Sequence, residues 1–212
     1  MGVLELDRVL TLSINNWNSS FGDGFFFTFT STWIWLPLAL VLMAIVWRTY
    51  DWKTMLLVIA GIGLCILLAD QTTSLIKHTV CRLRPTHEPL LDGQVHIVNG
   101  YVGGMFGFCS AHASNTASIV VFTALLFRNW IYSVLMSTWA LLNMWSRIYL
   151  GVHYLGDILC GALLGMLIGW LIYILFCWIW SKTILSNRQV MPLCITYLII
   201  VFAIIAMALA NM

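Results

Sequence analysis

Three short polar blocks, set between strongly apolar segments, hold the side chains of this 212-residue chain that could do chemistry. In chain order they are Lys77 with Arg84-Pro85, then Ser110-Ala111-His112, then Ser146-Arg147 followed by His153 and Asp157. The three cations are Lys77, Arg84 and Arg147, and no residues near them have the spacing of metal ligands. This indicates a site in which side chains alone bind an anion. Phosphate is the anion that this set fits best.

The spacing of His153 and Asp157 is the clearest signal of reactivity. The two residues are four positions apart, so if a helix begins here their side chains lie on one face. The carboxylate can then bind one ring nitrogen and hold a single tautomer. This leaves the other nitrogen able to act as a nucleophile or a general base.

The composition places these blocks in a membrane protein. Hydrophobic residues make up 61% of the chain and charged residues only 8%, which is too apolar for a soluble domain of this length. The net charge of +2 and the lack of a basic run exclude a nucleic-acid partner. We expect one integral membrane domain over residues 1–212 whose partners are the lipid bilayer and a membrane lipid.

The apolar segments predict an all-α fold, a bundle of six transmembrane helices. Their approximate bounds are 25–47, 55–76, 110–127, 130–150, 158–180 and 191–210. The third segment begins with several polar residues, including Ser110, His112 and Asn115. Its first turns should therefore face protein or water rather than lipid.

An amphipathic helix is expected within residues 1–24, lying in the membrane interface. Its apolar face would hold Val3, Leu6, Leu10, Ile14 and Trp17, with a polar face of Asp7, Arg8, Thr11 and Asn15. Acidic residues precede the first long apolar run and no small-residue cleavage site follows, so we expect no removable signal peptide.

Six crossings would put the short connections at 48–54, 128–129 and 181–190 on one side of the membrane. The long loop 77–109 and all three blocks would lie on the other side. Basic residues are equal in number on the two sides: Arg48, Lys53, Arg128, Lys182 and Arg188 against Arg8, Lys77, Arg82, Arg84 and Arg147. If the three cations of the blocks are set aside as ligand-binding, the positive-inside rule makes the short connections cytoplasmic. The site would then face outward.

The cysteines do not indicate a metal site. The chain has six, scattered and without a Cys-x-x-Cys or Cys/His ligand spacing, which argues against zinc. Cys81 and Cys109 flank the long loop. They could form a disulfide in an oxidising compartment or stay as two thiols, and the sequence leaves both alternatives open.

The blocks resemble those of the type 2 phosphatidic acid phosphatase superfamily, a family of membrane lipid phosphatases with the pattern K-x6-R-P, P-S-G-H and S-R-x5-H-x3-D. The first and third blocks match without a gap. The middle one departs, with Cys109 in place of proline and Ala111 in place of glycine. The resemblance covers about residues 70–165 and, more loosely, the six-helix plan.

This resemblance implies a role for each site residue. His153 would attack phosphorus to form a phosphohistidine, Asp157 would orient it, and His112 would protonate the departing oxygen before water releases phosphate. The residues that would bind the phosphate oxygens are Lys77, Arg84, Ser110, Ala111 and Arg147. The resemblance implies no metal ion and no cofactor.

The expected function is metal-independent hydrolysis of a phosphate or pyrophosphate ester on a membrane lipid. Undecaprenyl pyrophosphate is the first candidate, suggested by the compact chain and short N-terminus, with phosphatidylglycerophosphate, phosphatidic acid and lipid A 1-phosphate as competitors. The expected location is a bacterial inner membrane with the site facing the periplasm or exterior. A lipid phosphotransferase is the alternative enzyme. A transporter using Asp70, Lys77 and Arg147 is the non-enzyme alternative, although these charges gather at one surface.

Overall fold

The computed structural model describes residues 2–179, 185–210 and 212, and within these residues the chain forms eight α-helices and three short 3₁₀ turns. The helices are α1 Val3–Asn15, α2 Ser20–Phe29, α3 Leu36–Thr49, α4 Trp52–Val80, α5 Ala111–Phe127, α6 Trp130–Tyr149, α7 Leu155–Ile179 and α8 Asn187–Ala210. No strand occurs in this part of the chain, where Leu83 and Phe106 form one isolated β-bridge. The predicted all-α class is confirmed.

Among the residues that the structure describes, four helical segments are long and apolar enough to cross a membrane. They are Thr32–Thr49, Trp52–Val80, Leu155–Ile179 and Asn187–Ala210. The apolar helix α5 has only 17 residues, and α6 carries the polar residues Asn143, Ser146 and Arg147 in its buried face. The prediction of six crossings therefore stays a prediction, with α5 and α6 as the two additional candidates.

The predicted continuous helix 25–47 is wrong in its first half. Helix α2 ends at Phe29, a 3₁₀ turn spans Thr32–Trp35, and α3 starts after it. Ser31 has extended backbone angles and so interrupts the helix. Pro37 then lies in the first turn of α3, where a missing N–H breaks no helical hydrogen bond.

The segment 1–24 is likewise not one helix. Helix α1 ends at Asn15, and α2 begins at Ser20 with the Ser19 hydroxyl accepting a hydrogen bond from the Gly22 N–H at 3.0 Å. Among the other predicted bounds, α4 continues to Val80, so the long loop starts after it rather than at 77. Trp180 and residues 181–184, including Lys182, lie outside the described residues.

Helices α5 and α7 pack with their backbones in contact. Gly161, Gly165 and Gly169 lie four residues apart on one face of α7, and a Cβ at these positions would overlap the carbonyl oxygens of Ser110, Ser114 and Ser118 respectively. Glycine permits this approach because it has no side chain. The packing brings the N-terminal ends of the two helices together, where the Ser110 N–H donates to the Asp157 carbonyl oxygen at 3.0 Å.

The short connections meet at the opposite end of the bundle. The Leu185 N–H donates to the Phe127 carbonyl at 3.0 Å, and the Asn129 amide donates to the Leu185 carbonyl at 3.1 Å. The Gln189 amide donates to the Thr49 hydroxyl at 3.0 Å. The two ends of the bundle are thus chemically distinct, as the pattern of loops predicted.

Replacing Gly165 by alanine should lower the unfolding free energy by about 1–3 kcal/mol, because the new methyl group would overlap the backbone of α5. The measurement is thermal unfolding in detergent micelles. Gly63→Ala is the matched control, since Gly63 is also helical and has no atom within 4 Å of the added methyl. Equal unfolding midpoints for the two variants would contradict the close packing of α5 and α7.

Candidate active site

His153 and Asp157 form a buried pair at the start of α7. His153 lies in the turn between α6 and α7 with 1% of its surface exposed, and Asp157, in the first turn of α7, is fully buried. The Nδ1 atom of His153 is 3.3 Å from Oδ2 of Asp157. The same oxygen accepts the Tyr154 backbone N–H at 3.0 Å, which holds the carboxylate toward the ring.

Arg84 determines which nitrogen of His153 carries the proton. Its Nη1 atom is 3.1 Å from Nε2 of His153 and 3.0 Å from the Val152 carbonyl oxygen, while its Nε donates to the Phe106 carbonyl oxygen at 3.2 Å. A guanidinium group can only donate hydrogen bonds, so Nε2 must be the acceptor. The proton is therefore on Nδ1, facing Asp157, and the lone pair of Nε2 points toward the cations.

The imidazole of His153 is kept neutral. Burial lowers its pKa well below the ordinary value of 6.5, and the positive charges of Arg84, Arg147 and Lys77 lower the pKa further, against the opposing effect of a hydrogen bond from the ring to the Gly107 backbone. A neutral ring retains the lone pair that a nucleophile needs.

Arg147 is a buried cation with neutral partners. Its side chain, on a residue 2% exposed, donates to the Thr30 hydroxyl at 3.1 Å and to the Tyr101 hydroxyl at 2.8 Å. Its Nε–H has no hydrogen-bond partner among the described residues. In the part of the chain that the structure describes, no carboxylate oxygen lies within 4 Å of Arg147, Arg84 or Lys77. Because a buried unpaired charge is costly, this end of the bundle favours binding of an anion.

The middle block contributes the start of α5. Ser110 is buried and caps the helix, its hydroxyl accepting the Ala113 N–H at 3.4 Å. Ala111 is the first helical residue, so its N–H has no intrahelical acceptor and belongs to a helix end that favours anions. The His112 ring is exposed and lies within electrostatic range of Arg147, His153, Arg84 and Lys77.

All eight predicted site residues therefore lie at one end of the bundle. Lys77, in the last turn of α4, is within electrostatic range of Arg84 and Asp157. The chain segments that carry these residues are separated by up to 80 positions and meet through the packing of α4, α5, α6 and α7. Their chemical roles stay predictions.

Asp157 has a second partner that the spacing of the blocks did not predict. Arg82 donates to Oδ1 of Asp157 at 3.0 Å and to Oδ2 of Asp7 at 2.7 Å, and its guanidinium lies over the Tyr154 ring at 4.0 Å. Arg82 stands two positions before Arg84, so its place in the first block was an available signal. No spacing linked Arg147 to Thr30 or Tyr101.

The structure also describes the two cysteines of the long loop and Asp70. Cys81 and Cys109 are free thiols, so the disulfide alternative is not formed. The Asn115 amide donates to the Asp70 carboxylate at 2.8 Å, which makes Asp70 part of a contact between α4 and α5. Within residues 2–179, 185–210 and 212, no group of three or more His, Cys, Asp or Glu side chains is placed to hold a metal ion.

Comparison with known proteins gives concordant results. Residues 55–181 match the PAP2 superfamily. The chain is 39% identical over 172 residues to a lipid A 4'-phosphatase of Bacteroides thetaiotaomicron, covering 80% of this chain and 76% of the relative. It is 32% identical over 172 residues to a lipid A 4'-phosphatase of Porphyromonas gingivalis, covering 81% and 73%.

Two crystal structures share the fold. One is a transmembrane PAP2 type phosphatidylglycerolphosphate phosphatase from Bacillus subtilis, with a TM-score of 0.64 and 21% identity, covering 84% of this chain and 88% of that one. The other is LpxE from Aquifex aeolicus, with a TM-score of 0.57 and 23% identity, covering 80% and 93%.

At pH 6 the His153 ring should be neutral with its proton on Nδ1, because its pKa is lowered below 6.5. The measurement is ¹⁵N NMR of histidine-labelled protein in detergent micelles, with the resonance assigned by its loss in His153→Asn. A ring that is already protonated at pH 6, or that carries its proton on Nε2, would contradict the arrangement of Arg84 and Asp157 around it.

Proposed function

The chain belongs to the PAP2 superfamily and is an integral membrane lipid phosphatase, and on that basis we propose that it removes a phosphate group from lipid A through a phosphohistidine. The observation that carries the chemistry is the neutral His153 ring, held by Asp157 on one side and presenting Nε2 to Arg84 on the other. This arrangement combines a nucleophile with a binding site for its anionic target.

The reaction would proceed in two steps. Nε2 of His153 attacks phosphorus while the bond from phosphorus to the sugar oxygen breaks. The negative charge of the bound phosphate offsets the cations near His112 and allows its ring to be protonated, and His112 donates this proton to the departing oxygen. Water then attacks the phosphohistidine, giving its proton to His112 as the bond between phosphorus and nitrogen breaks. Asp157 stabilises the positive charge that the His153 ring acquires in the first step.

The cations have the role of stabilising charge on the transferred group. Arg84, Arg147 and Lys77 surround the nucleophile, and the Ala111 N–H adds a neutral donor. Such donors stabilise the equatorial oxygens, where charge is concentrated during phosphoryl transfer. Because these groups are already in place before the substrate binds, little reorganisation is needed when it reacts.

Arg84 also links substrate binding to the nucleophile. In the free protein its Nη1 donates to Nε2 of His153, the atom that must attack. Phosphate oxygens are stronger acceptors than a neutral imidazole. A bound phosphate would therefore take over the hydrogen bond from Arg84 and leave the lone pair of Nε2 free to react.

Lipid A is the first substrate to test, with its 4' position ahead of its 1 position. The support is the name of two relatives, one 39% and one 32% identical over most of their length. Undecaprenyl pyrophosphate, phosphatidylglycerophosphate and phosphatidic acid stay predictions. Free phosphate formed without an added acceptor would distinguish hydrolysis from phosphotransfer.

We propose that the protein crosses the inner membrane six times, with α5 and α6 added to the four long apolar segments, and that the site faces the periplasm. Support comes from the gathering of the short connections at the other end of the bundle. In this orientation Lys77, Arg84 and Arg147 lie on the outer side, against the positive-inside rule, and their role in binding a ligand accounts for this. Helix α1 would lie at the outer interface.

Wild-type protein in detergent micelles should release phosphate from lipid A, and His153→Ala should lower kcat by at least about 10³-fold, because it removes the nucleophile. His78→Ala is the matched control, since that ring is exposed on α4 and has no proposed role. Released phosphate and the mass of the lipid product report both the rate and the position cleaved. Turnover retained in His153→Ala would contradict the mechanism.

The same assay separates the candidate substrates. Phosphate release from undecaprenyl pyrophosphate but not from lipid A would overturn the substrate proposal while leaving the phosphatase chemistry in place.

Excess EDTA should leave the rate of phosphate release unchanged, because Arg84, Arg147 and Lys77 supply the positive charge that a metal ion would otherwise provide. The measurement is the initial rate with and without chelator after preincubation. A loss of rate that added Mg²⁺ or Zn²⁺ restores would contradict a metal-independent reaction.

A further inference from the structure

Helix α1 turns its polar face toward the protein and its apolar face outward. Thr11 and Asn15 are buried, whereas Val3 is 85% and Leu4 64% exposed. The Asn15 amide donates to the carbonyl oxygens of His96 and Tyr149 at 3.0 and 2.7 Å, which ties the end of α1 to the long loop and to α6. The polar face is thus an internal contact surface.

The same face binds the start of α7. Oδ1 of Asp7 accepts the Gly156 N–H at 2.8 Å, and the Thr11 hydroxyl accepts the Leu155 N–H at 3.0 Å. These N–H groups belong to the first turn of α7, where no carbonyl of the same helix can accept them. Helix α1 therefore caps the helix that carries Asp157.

Arg82 extends this contact to the reacting pair. It lies between the carboxylates of Asp7 and Asp157, at 2.7 and 3.0 Å. The other carboxylate oxygen of Asp157 lies 3.3 Å from Nδ1 of His153. A continuous series of polar contacts therefore runs from α1 through Asp7, Arg82 and Asp157 to His153.

We propose that Asp7 and Arg82 are positioning residues for the nucleophile, so that α1 is a working part of the active site; this rests on the proposed phosphatase function. Asp157 is fully buried, and its Oδ1 depends on Arg82 for a charged partner. Without Arg82, Oδ1 loses this partner and the carboxylate is held toward the ring by the Tyr154 N–H alone. Without Asp7 the guanidinium loses the partner that holds it in place.

The proposal predicts an effect on turnover rather than on binding. Arg82 and Asp7 are not among the groups that face Nε2 of His153. The two outer nitrogens of Arg82 donate to Asp7 and Asp157, and the two oxygens of Asp7 accept from Arg82 and from the Gly156 N–H. Loss of either should misorient the ring and so lower kcat, while the phosphate site keeps its cations and KM changes little.

Asp7→Asn tests the ion pair alone, because the amide oxygen of asparagine can still accept the Gly156 N–H. We expect kcat for lipid phosphate hydrolysis to fall about tenfold with KM within about twofold, as is typical when a residue that orients a reacting histidine loses its partner. Glu5→Gln is the matched control, since Glu5 is the other acid of α1 and is exposed. It should keep wild-type kcat and KM.

Arg82 gives the second, independent measurement. Arg82→Met should lower kcat about 100-fold, and Arg82→Lys should restore part of it, because one ammonium cannot bind both carboxylates as a planar fork does. The double variant Asp7→Asn with Arg82→Met should be no worse than Arg82→Met alone, because Asp7 acts through Arg82. If the two residues had independent structural roles, their fold-losses in kcat would instead multiply in the double variant.

Each outcome decides the proposal. Wild-type kcat in Asp7→Asn, multiplicative losses in the double variant, or an effect confined to KM would overturn it, while an active wild type and an inactive His153→Ala would leave the phosphatase function intact. A wild type that releases no phosphate from any lipid tested would overturn the function and this inference together.

Discussion

The contact between the backbones of α5 and α7 is the constraint on which the active site depends. Three glycines on one face of α7 allow α5 to approach until the carbonyl oxygens of Ser110, Ser114 and Ser118 fill the space of absent side chains. The two helices start at the same level, joined by the Ser110 N–H and the Asp157 carbonyl. A separation larger by one methyl group would move the start of α5, which carries Ala111 and His112, away from the start of α7, which carries Asp157.

Electrostatics then gives this end of the bundle its function. Arg147 is buried and donates to two hydroxyl groups, and Arg84 donates to carbonyl oxygens and to an imidazole. Arg82, by contrast, binds two carboxylates. The protein thus neutralises the one cation that supports Asp157 and leaves the others for a ligand. A phosphate dianion would supply the missing charge, and burial together with the same cations keeps the His153 ring neutral by lowering its pKa.

Helix α1 is amphipathic, but its polar face lies against the protein and its apolar face lies outward. Its period predicted a helix with one polar and one apolar face, and the helix exists. The polar face, however, is buried against the protein and binds Gly156, Leu155 and Arg82. In a membrane protein the surroundings are apolar, so an outward apolar face and an inward polar face are both favourable.

The sequence alone predicted the helical class, which the structure confirms, and proposed candidate members of the site, because helical periodicity and fixed spacing within a block are local properties. It also predicted that the blocks lie at one end, from a count of six crossings that itself stays a prediction. It did not predict the interruption between α2 and α3, the pairing of Arg82 with Asp7, or the contacts of Arg147 with Thr30 and Tyr101. The three contacts join residues 46 to 117 positions apart. Only the packing of the helices decides which of many polar side chains meet across such distances, and so which cations are neutralised and which stay available for an anion.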